Sequence, residues 1–161
     1  MIHGPVPRHL RVQRRALLLT AGATGLLAAC AQGAETLAIQ VYKTPTCACC
    51  TKWIDALKAA GLKPSIGVLD DLTPVRATYG VADALSSCHT ARIGGYTIEG
   101  HVPPADILRL LQERPKALGL AVPGMPIGSP GMEMPGAIAE PYATLLLLDA
   151  KGATRVFAGH G

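Results

Sequence analysis

Three cysteines, Cys47, Cys49 and Cys50, lie within four residues of one another, between two different hydrophobic patterns. The alternating run before them, residues 36–42, predicts a β-strand. The pattern after them, residues 50–60, predicts an α-helix. The cysteines are therefore expected at a strand-to-helix turn, where free N–H groups and the helix dipole favour thiolates. Such a cluster is typical of a redox centre or of a site for a soft metal ion.

The N-terminal segment has the character of a secretory signal. It contains four arginines, Arg8, Arg11, Arg14 and Arg15, and no acidic residue before Cys30. The apolar run that follows, residues 16–29, is too short to span a membrane. We therefore predict a signal peptide at residues 1–29 and a short tether at residues 30–36.

The end of the apolar run, Leu27-Ala28-Ala29-Cys30, resembles the lipobox of bacterial lipoproteins, in which the cysteine becomes the acylated first residue. We expect an exported, periplasmic protein that is attached to a membrane through a lipid on Cys30. Arg14-Arg15 also resembles a loose twin-arginine signal. If Cys30 is instead an ordinary residue of the apolar run, cleavage would follow Ala31 or Ala34.

The basic charge of the chain belongs to this signal. Lys and Arg number 15 against 11 acidic residues, and the four arginines before Cys30 account for the whole excess. The expected mature chain of about 130 residues is neutral and long enough for one domain with its own core. It has no basic patch rich in aromatic residues, so we predict no nucleic-acid partner. Its cysteines are too close together to form a framework of loop-closing disulfides.

The remaining patterns alternate between strand and helix. We predict a strand at 64–69, short helices near 74 and at 81–85, a hairpin at 91–100, a helix at 104–114 and a final hairpin at 142–158. The glycine pair Gly94-Gly95 marks the turn of the first hairpin. Residues 115–141 show no periodicity, and His160 is expected at a frayed terminus with no role. No internal repeat divides the chain, so we predict one α/β domain with a mixed sheet at 37–161.

This order of elements resembles the thioredoxin/glutaredoxin fold, and residues 47–50 satisfy its C-x-x-C redox signature, with Cys49 inside it. A thiol–disulfide exchanger of that fold also needs a cis-proline opposite the thiols, just before the strand at Ala91. This chain has Cys88-His89-Thr90 there. A fourth thiol and an imidazole favour a metal site over disulfide exchange, and soft ligands of this kind select Cu(I) over hard cations.

Further soft ligands follow in the sequence. His101 ends the first hairpin, and Met125 and Met132 lie in the glycine- and proline-rich segment, which could close over a site. Each has another interpretation. Cys88 could be a small buried hydrophobe, His101 a hydrogen-bonding residue at the start of a helix, and the methionines gap fillers. Trp53 is expected in the core or as a wall beneath the thiols.

Four segments carry a family resemblance: residues 42–50 (YKTPTCACC), 87–91 (SCHTA), 98–103 (IEGHVP) and 119–133 (GLAVPGMPIGSPGME). With these motifs in order, the chain from about residue 37 to 158 resembles the bacterial CopG-type copper-resistance family. The resemblance implies a thioredoxin-like fold, export, and copper bound by the C-x-C-C and Cys-His residues. It also implies a multinuclear copper–thiolate cluster and a role in converting copper between its oxidation states. Two positions depart from the family pattern: Ala48 replaces a usual glycine, and Ala56 an expected histidine, so no ligand is expected at 56.

We therefore predict a copper-binding protein of copper homeostasis, with other periplasmic copper-handling proteins as expected partners and an enzymatic role left open. Cys47, Cys49, Cys50 and Cys88 would bind Cu(I) as thiolates, with His89 as a ligand or as a residue that orients one. Adjacent side chains diverge, so Cys49 and Cys50 would bridge several ions. The main alternative is a thiol–disulfide oxidoreductase that uses Cys47 and Cys50. A structural zinc module is a third possibility, although adjacent cysteines suit zinc poorly.

Overall fold

A computed structural model of the chain describes Met1 and residues 37–161. The predicted signal peptide at 1–29, the lipid on Cys30 and the tether at 30–36 lie outside the described range. None of the helices within residues 37–161 has the length and apolar character that a membrane-spanning helix requires.

Residues 37–161 form one mixed sheet of seven strands. The strands are β1 (Ala38–Lys43), β2 (Lys63–Val68), β3 (His89–Ile93), β4 (Tyr96–Gly100), β5 (Gly119–Val122), β6 (Tyr142–Leu147) and β7 (Thr154–His160). They lie in the order β2-β1-β3-β4-β5-β6-β7. The pairs β1–β2 and β4–β5 are parallel, and the other four pairs are antiparallel. The prediction of a single α/β domain with a mixed sheet is confirmed.

The helices cover the two faces of this sheet. They are α1 (Ala48–Ala59), α2 (Thr73–Tyr79) and α3 (Pro104–Glu113), and a single 3₁₀ turn spans Asp83–Leu85. α1 and α3 contribute Trp53, Leu57 and Ile107 to one apolar core against the inner residues of β1, β3, β4 and β5. α2 has no fully buried residue and lies on the opposite face, where Arg76 contacts Glu99 of β4 and the Tyr79 ring contacts Arg92 of β3.

One edge of the sheet gathers the segments of chemical interest. β3 runs antiparallel to both β1 and β4, and β5 runs parallel to β4. The carboxyl ends of β1, β4 and β5 therefore lie at the same edge as the beginning of β3. This topology brings together the cysteines after β1, Cys88 before β3, His101 after β4 and the loop after β5.

Four details differ from the sequence-based expectations. α1 begins at Ala48 rather than at residue 50, because Cys47 serves as its N-cap. The short helix expected at 81–85 is only the 3₁₀ turn Asp83–Leu85. β5 was not predicted, because its four residues are all buried and show no alternation. The expectation of a frayed end at His160 is wrong, since this last residue of β7 pairs with Tyr142 of β6 and contacts the Asp106 carboxylate at 2.9 Å.

Candidate metal centre

The first half of the site is the thiol turn, which consists of Cys47, Cys49 and Cys50 at the beginning of α1. As the N-cap, Cys47 accepts a hydrogen bond from the Cys50 N–H through Sγ at 3.3 Å. A disulfide joins Cys47 to Cys50, whose Cα atoms are 5.4 Å apart. Cys49 is a free thiol with its Sγ 3.5 Å from that of Cys47. The turn therefore holds three sulfurs together but can exist in an oxidised and a reduced state.

The second half is the histidine edge, which consists of Cys88, His89 and His101 at the open end of the β3–β4 hairpin. The two-residue turn at Gly94 and Gly95, both at positive φ, sets the hairpin register that pairs Thr90 with Glu99. Continuing this register by two residues places Cys88 opposite His101. Cys88 Sγ lies 3.0 Å from His101 Nε2 and 3.3 Å from His89 Nδ1.

Cys88 joins the two halves. The four sulfurs of Cys47, Cys49, Cys50 and Cys88 all lie within 4.8 Å of one another, and the same limit holds for the ligand atoms of Cys88, His89 and His101. The Cys49 and Cys88 sulfurs are 3.8 Å apart. The structure thus brings together six of the eight residues predicted as ligands, in two groups that share one thiol.

Burial favours the neutral form of both imidazoles. Burial, and secondarily the neighbouring His101, lower the pKa of His89 to about 3. Its Nε2 is buried and has no hydrogen-bond partner among residues 37–161. The pKa of His101 is also lowered by burial. His101 Nδ1–H donates to the carbonyl of Pro130 at 2.8 Å, which leaves the lone pair of Nε2 directed at Cys88. A cation at Cys88 would meet a lone pair rather than an N–H group.

The Cys88 thiol is poorly suited to ionise without a cation. Burial, together with the nearby Cys49, raises its pKa to about 12. It is therefore protonated at neutral pH unless a positive charge compensates the thiolate. A bound soft cation would relieve the disfavoured thiolate of Cys88, and His89 Nδ1 and His101 Nε2 both lie within reach of that sulfur, so the residues fit such an ion.

Trp53 and the loop after β5 enclose this site. Trp53 is fully buried, which confirms its expected core position, and its ring centroid lies 4.2 Å from that of His89. The loop passes over the thiol turn at Gly131, where an added Cβ would lie 2.8 Å from both the Cys49 carbonyl and the Trp53 amide nitrogen. Close approach at this point requires the absence of a side chain.

The two predicted methionines lie in the same loop. Met132 is half-buried. Its backbone is near the thiol turn because it directly follows Gly131. Met125 is 51% exposed. A ligand role for either thioether stays a prediction.

Sequence reasoning missed three contributors to the site: the carbonyl of Pro130, the close contact at Gly131, and the buried carboxylate of Glu99 behind the hairpin. A carbonyl and a close contact leave no mark in a sequence read alone. Glu99 does carry a signal, because a single acid inside an otherwise uncharged hairpin strand is a candidate for a buried, paired charge.

Known proteins give a consistent comparison. Residues 85–132 match a family model described as "Protein of unknown function, DUF411". The solved structure "Copper resistance protein copG- Form 1" is 45% identical, with a TM-score of 0.72, and the match covers 78% of this chain and 98% of that chain. "Copper resistance protein copG- Form 2" is 44% identical, with a TM-score of 0.71, and the match covers 77% and 98% of the two chains. No curated protein sequence matches the chain.

Proposed function

This chain belongs to the family of CopG copper resistance proteins, and we propose on that premise that it binds copper as part of copper resistance. The observation that carries the proposal is the meeting of the thiol turn and the histidine edge at Cys88. Thiolate sulfur and neutral imidazole are ligands that suit copper and exclude hard cations such as Mg²⁺ and Ca²⁺. The thiol turn alone has no imidazole, and the histidine edge alone has one sulfur.

The bound form is Cu(I), with more than one ion in each chain. Four sulfurs within 4.8 Å supply more thiolate than one ion needs. Cys49 and Cys50 are neighbours in the chain, and their sulfurs fall within the same limit. Thiolates this close together can bridge neighbouring Cu(I) ions, so the four sulfurs can serve several ions.

Copper loading requires the reduced state of the thiol turn. In the oxidised state Cys49 and Cys88 are the free thiols of residues 37–161. Reduction of the Cys47–Cys50 disulfide by an external dithiol, which is itself oxidised to a disulfide, returns two further thiols. Cu(I) binding then releases thiol protons, Cys88 included.

Anaerobic titration with Cu(I) against a chromophoric chelator tests this function. The reduced protein should bind more than one Cu(I) per chain, and X-ray absorption should report sulfur ligation. The oxidised protein is the matched control and should bind less. A one-to-one endpoint would remove the multinuclear form and leave the metal site, whereas equal weak binding by both states would overturn the copper function.

The fold and the location are part of the same proposal. The succession β1–α1–β2 and then β3–β4–α3, with the C-x-x-C motif at the first turn of α1, supports a thioredoxin-like description of this part. β5, β6 and β7 extend its sheet on one side.

We also propose periplasmic export and a lipid anchor on Cys30, from the basic and apolar pattern of residues 1–29. In a bacterial host, the full chain should fractionate with membranes, and Cys30→Ser should move it to the soluble periplasmic fraction. A membrane-bound Cys30→Ser protein would contradict the lipid anchor.

A thiol–disulfide oxidoreductase is the second candidate, favoured by the Cys47–Cys50 disulfide at the beginning of α1. The metal-free protein would then reduce insulin, and the turnover would survive Cys88→Ser. We rank copper binding higher because an exchange enzyme has no use for a buried thiol and two neutral imidazoles beside its disulfide. Conversion of copper between oxidation states, and transfer to other periplasmic copper-handling proteins, are roles that we propose for the same site from the family resemblance.

A further inference from the structure

A buried ion pair lies on the face of the sheet opposite the thiols. Glu99 of β4 is fully buried, and its Oε1 lies 3.0 Å from Nε of Arg76 on α2. The other carboxylate oxygen accepts a hydrogen bond from the Thr90 hydroxyl at 2.6 Å. Thr90 and Glu99 are register partners in the β3–β4 hairpin, so both side chains project to the α2 side. His89, one residue earlier, projects to the α1 side, where it meets Trp53.

This pair engages both polar groups of the Ser87 backbone. The Ser87 N–H donates to Glu99 Oε1 at 2.7 Å, and the Ser87 carbonyl accepts from Nη2 of Arg76. Ser87 is directly before Cys88, the thiol that both ligand groups share. We propose that Arg76 and Glu99 are positioning residues for copper: they clamp Ser87 and so hold the Cys88 sulfur between Cys49 and His101. The proposal rests on the proposed copper function for the role of Cys88.

Cys88 needs such support because no strand ladder holds it. β3 begins at His89, so Cys88 lies just outside the sheet. Ser87 is secured from two other directions. Its hydroxyl donates to the carbonyl of Gly124, and it occupies space that the absent side chain of Gly100 leaves, since a Cβ there would lie 2.6 Å from the Ser87 Cβ. The clamp, the hydrogen bond to the Gly124 carbonyl and the close contact with Gly100 together fix the position of Ser87.

The Arg76–Glu99 pair contributes more to the position of Ser87 than to the stability of the fold. A buried ion pair gains little over well-packed apolar residues, because the cost of desolvating both charges offsets their attraction. What apolar residues cannot provide is one group that accepts from the Ser87 N–H and another that donates to its carbonyl. Loss of a group that orients a metal ligand typically weakens metal binding about 10–100-fold.

Arg76→Lys separates the clamp from its charge. Lysine keeps the positive charge beside Glu99, but its single ammonium cannot reproduce the fork that reaches Glu99 and the Ser87 carbonyl together. Arg109→Lys is the matched control. Arg109 also donates through Nη2 to a backbone carbonyl, that of Phe157, at 2.7 Å, and its side chain contacts α3 and β7.

Two measurements on the full, reduced chain read out the effect. The first is Cu(I) affinity by anaerobic competition with a chelator, which we expect Arg76→Lys to weaken about 10-fold or more and Arg109→Lys to leave unchanged. The second uses metal-free protein: the rate at which iodoacetamide alkylates Cys88, resolved by peptide mass spectrometry, should rise several-fold in Arg76→Lys alone. Chemical denaturation of both variants reports whether the fold is retained.

Glu99→Gln is a second variant, which keeps the size of the side chain but removes the carboxylate that joins Arg76 to the Ser87 N–H, and it should raise Cys88 alkylation in the same way. It decides the question if Arg76→Lys does not fold. Equal alkylation rates at Cys88 in Arg76→Lys, Arg109→Lys and the unaltered chain would overturn the clamp. Failure of the unaltered chain to bind Cu(I) would instead overturn the copper function, and the alkylation rates would still report on the clamp.

Discussion

The thiol turn and the histidine edge meet at one place but are built in different ways. The sulfurs of the thiol turn lie on the first turn of a helix, and two of them pair with each other in a disulfide. The histidine edge lies at the end of a hairpin, with both imidazoles fully buried. There, His101 is fixed by the Pro130 carbonyl and His89 by the ring of Trp53.

One half of the site can change its covalent state, because the thiol turn contains a disulfide, whereas the histidine edge contains none in the part of the chain that the structure describes. A two-electron reaction alters the number of thiols in the thiol turn, whereas no disulfide involves the histidine edge within residues 37–161. The two imidazoles can therefore keep their contacts with Pro130 and Trp53 while the number of free thiols in the thiol turn changes. A site of this kind is preorganised on one side and responsive to redox conditions on the other.

Trp53 connects the two halves, and its removal should have the largest effect. It belongs to α1, yet its indole N–H donates to the Val102 carbonyl at 2.8 Å and its ring packs on His89. Trp53→Ala should lower the free energy of unfolding by about 3–5 kcal/mol. Urea denaturation of the reduced, metal-free protein measures this loss.

Trp53→Phe is the control for this substitution. It keeps an aromatic ring beside His89 but leaves the Val102 carbonyl without its donor, so we expect a smaller loss of about 1–3 kcal/mol. If Trp53→Ala and Trp53→Phe were equally stable, the ring would not be what joins the helix to the histidine edge.

Cys88→Ser should weaken copper binding more than the substitution of any other single cysteine in the site. Cys88 belongs to both ligand groups, whereas Cys49 belongs only to the group of four sulfurs. Loss of a residue that only orients a ligand weakens metal binding by up to about 100-fold. We expect Cys88→Ser to weaken Cu(I) binding by more than this, and Cys49→Ser to weaken it less. Anaerobic chelator competition on the reduced variants compares the two. If Cys49→Ser bound Cu(I) more weakly than Cys88→Ser, the centre of the site would lie in the thiol turn.

Much of this comparison could be predicted from residues close in sequence. The pattern on either side of Cys47 and Cys50 indicated a strand and a helix, and both are present with the cysteines between them. The turn at Gly94-Gly95 was also predicted. Its two-residue length sets the register, and extending that register places Cys88 opposite His101, so the sequence alone could have predicted that these two side chains are close.

Contacts between distant segments could not be predicted in this way. β5 pairs with β4 although its four residues show no alternation, because it is buried on both faces. The loop after β5 reaches the thiol turn through Gly131, and nothing local marks which of its glycines makes that contact. His160 seemed terminal in sequence, yet it is held by the buried Asp106 carboxylate of α3. These positions are set by tertiary packing, which a hydrophobic period does not contain.

Gly131→Ala tests how the loop closes over the thiol turn. The new Cβ would press on the Cys49 carbonyl and the Trp53 amide at a backbone φ of +87°, where side chains are strained. We expect a loss of about 1–3 kcal/mol in stability and faster alkylation of Cys49. Gly136→Ala in the same loop, also at positive φ but with open space around its Cβ, is the control for backbone strain alone. Equal effects of the two substitutions would argue against a close contact at Gly131.

Acid should destabilise the histidine edge and spare the thiol turn. Burial lowers the pKa of His89 to about 3, so between pH 6.5 and 3 the unfolded chain binds a proton at this residue that the folded chain does not. The free energy of unfolding should therefore fall as the pH falls through this window, by up to about 1.4 kcal/mol per pH unit for this group. His101, whose pKa burial also lowers, acts in the same direction. Because disulfide-bonded cysteines do not titrate, the metal-free oxidised protein should show this slope as the reduced protein does, and His89→Gln should reduce it in both. A slope confined to the reduced protein, or unchanged in His89→Gln, would assign the acid sensitivity to the sulfurs instead.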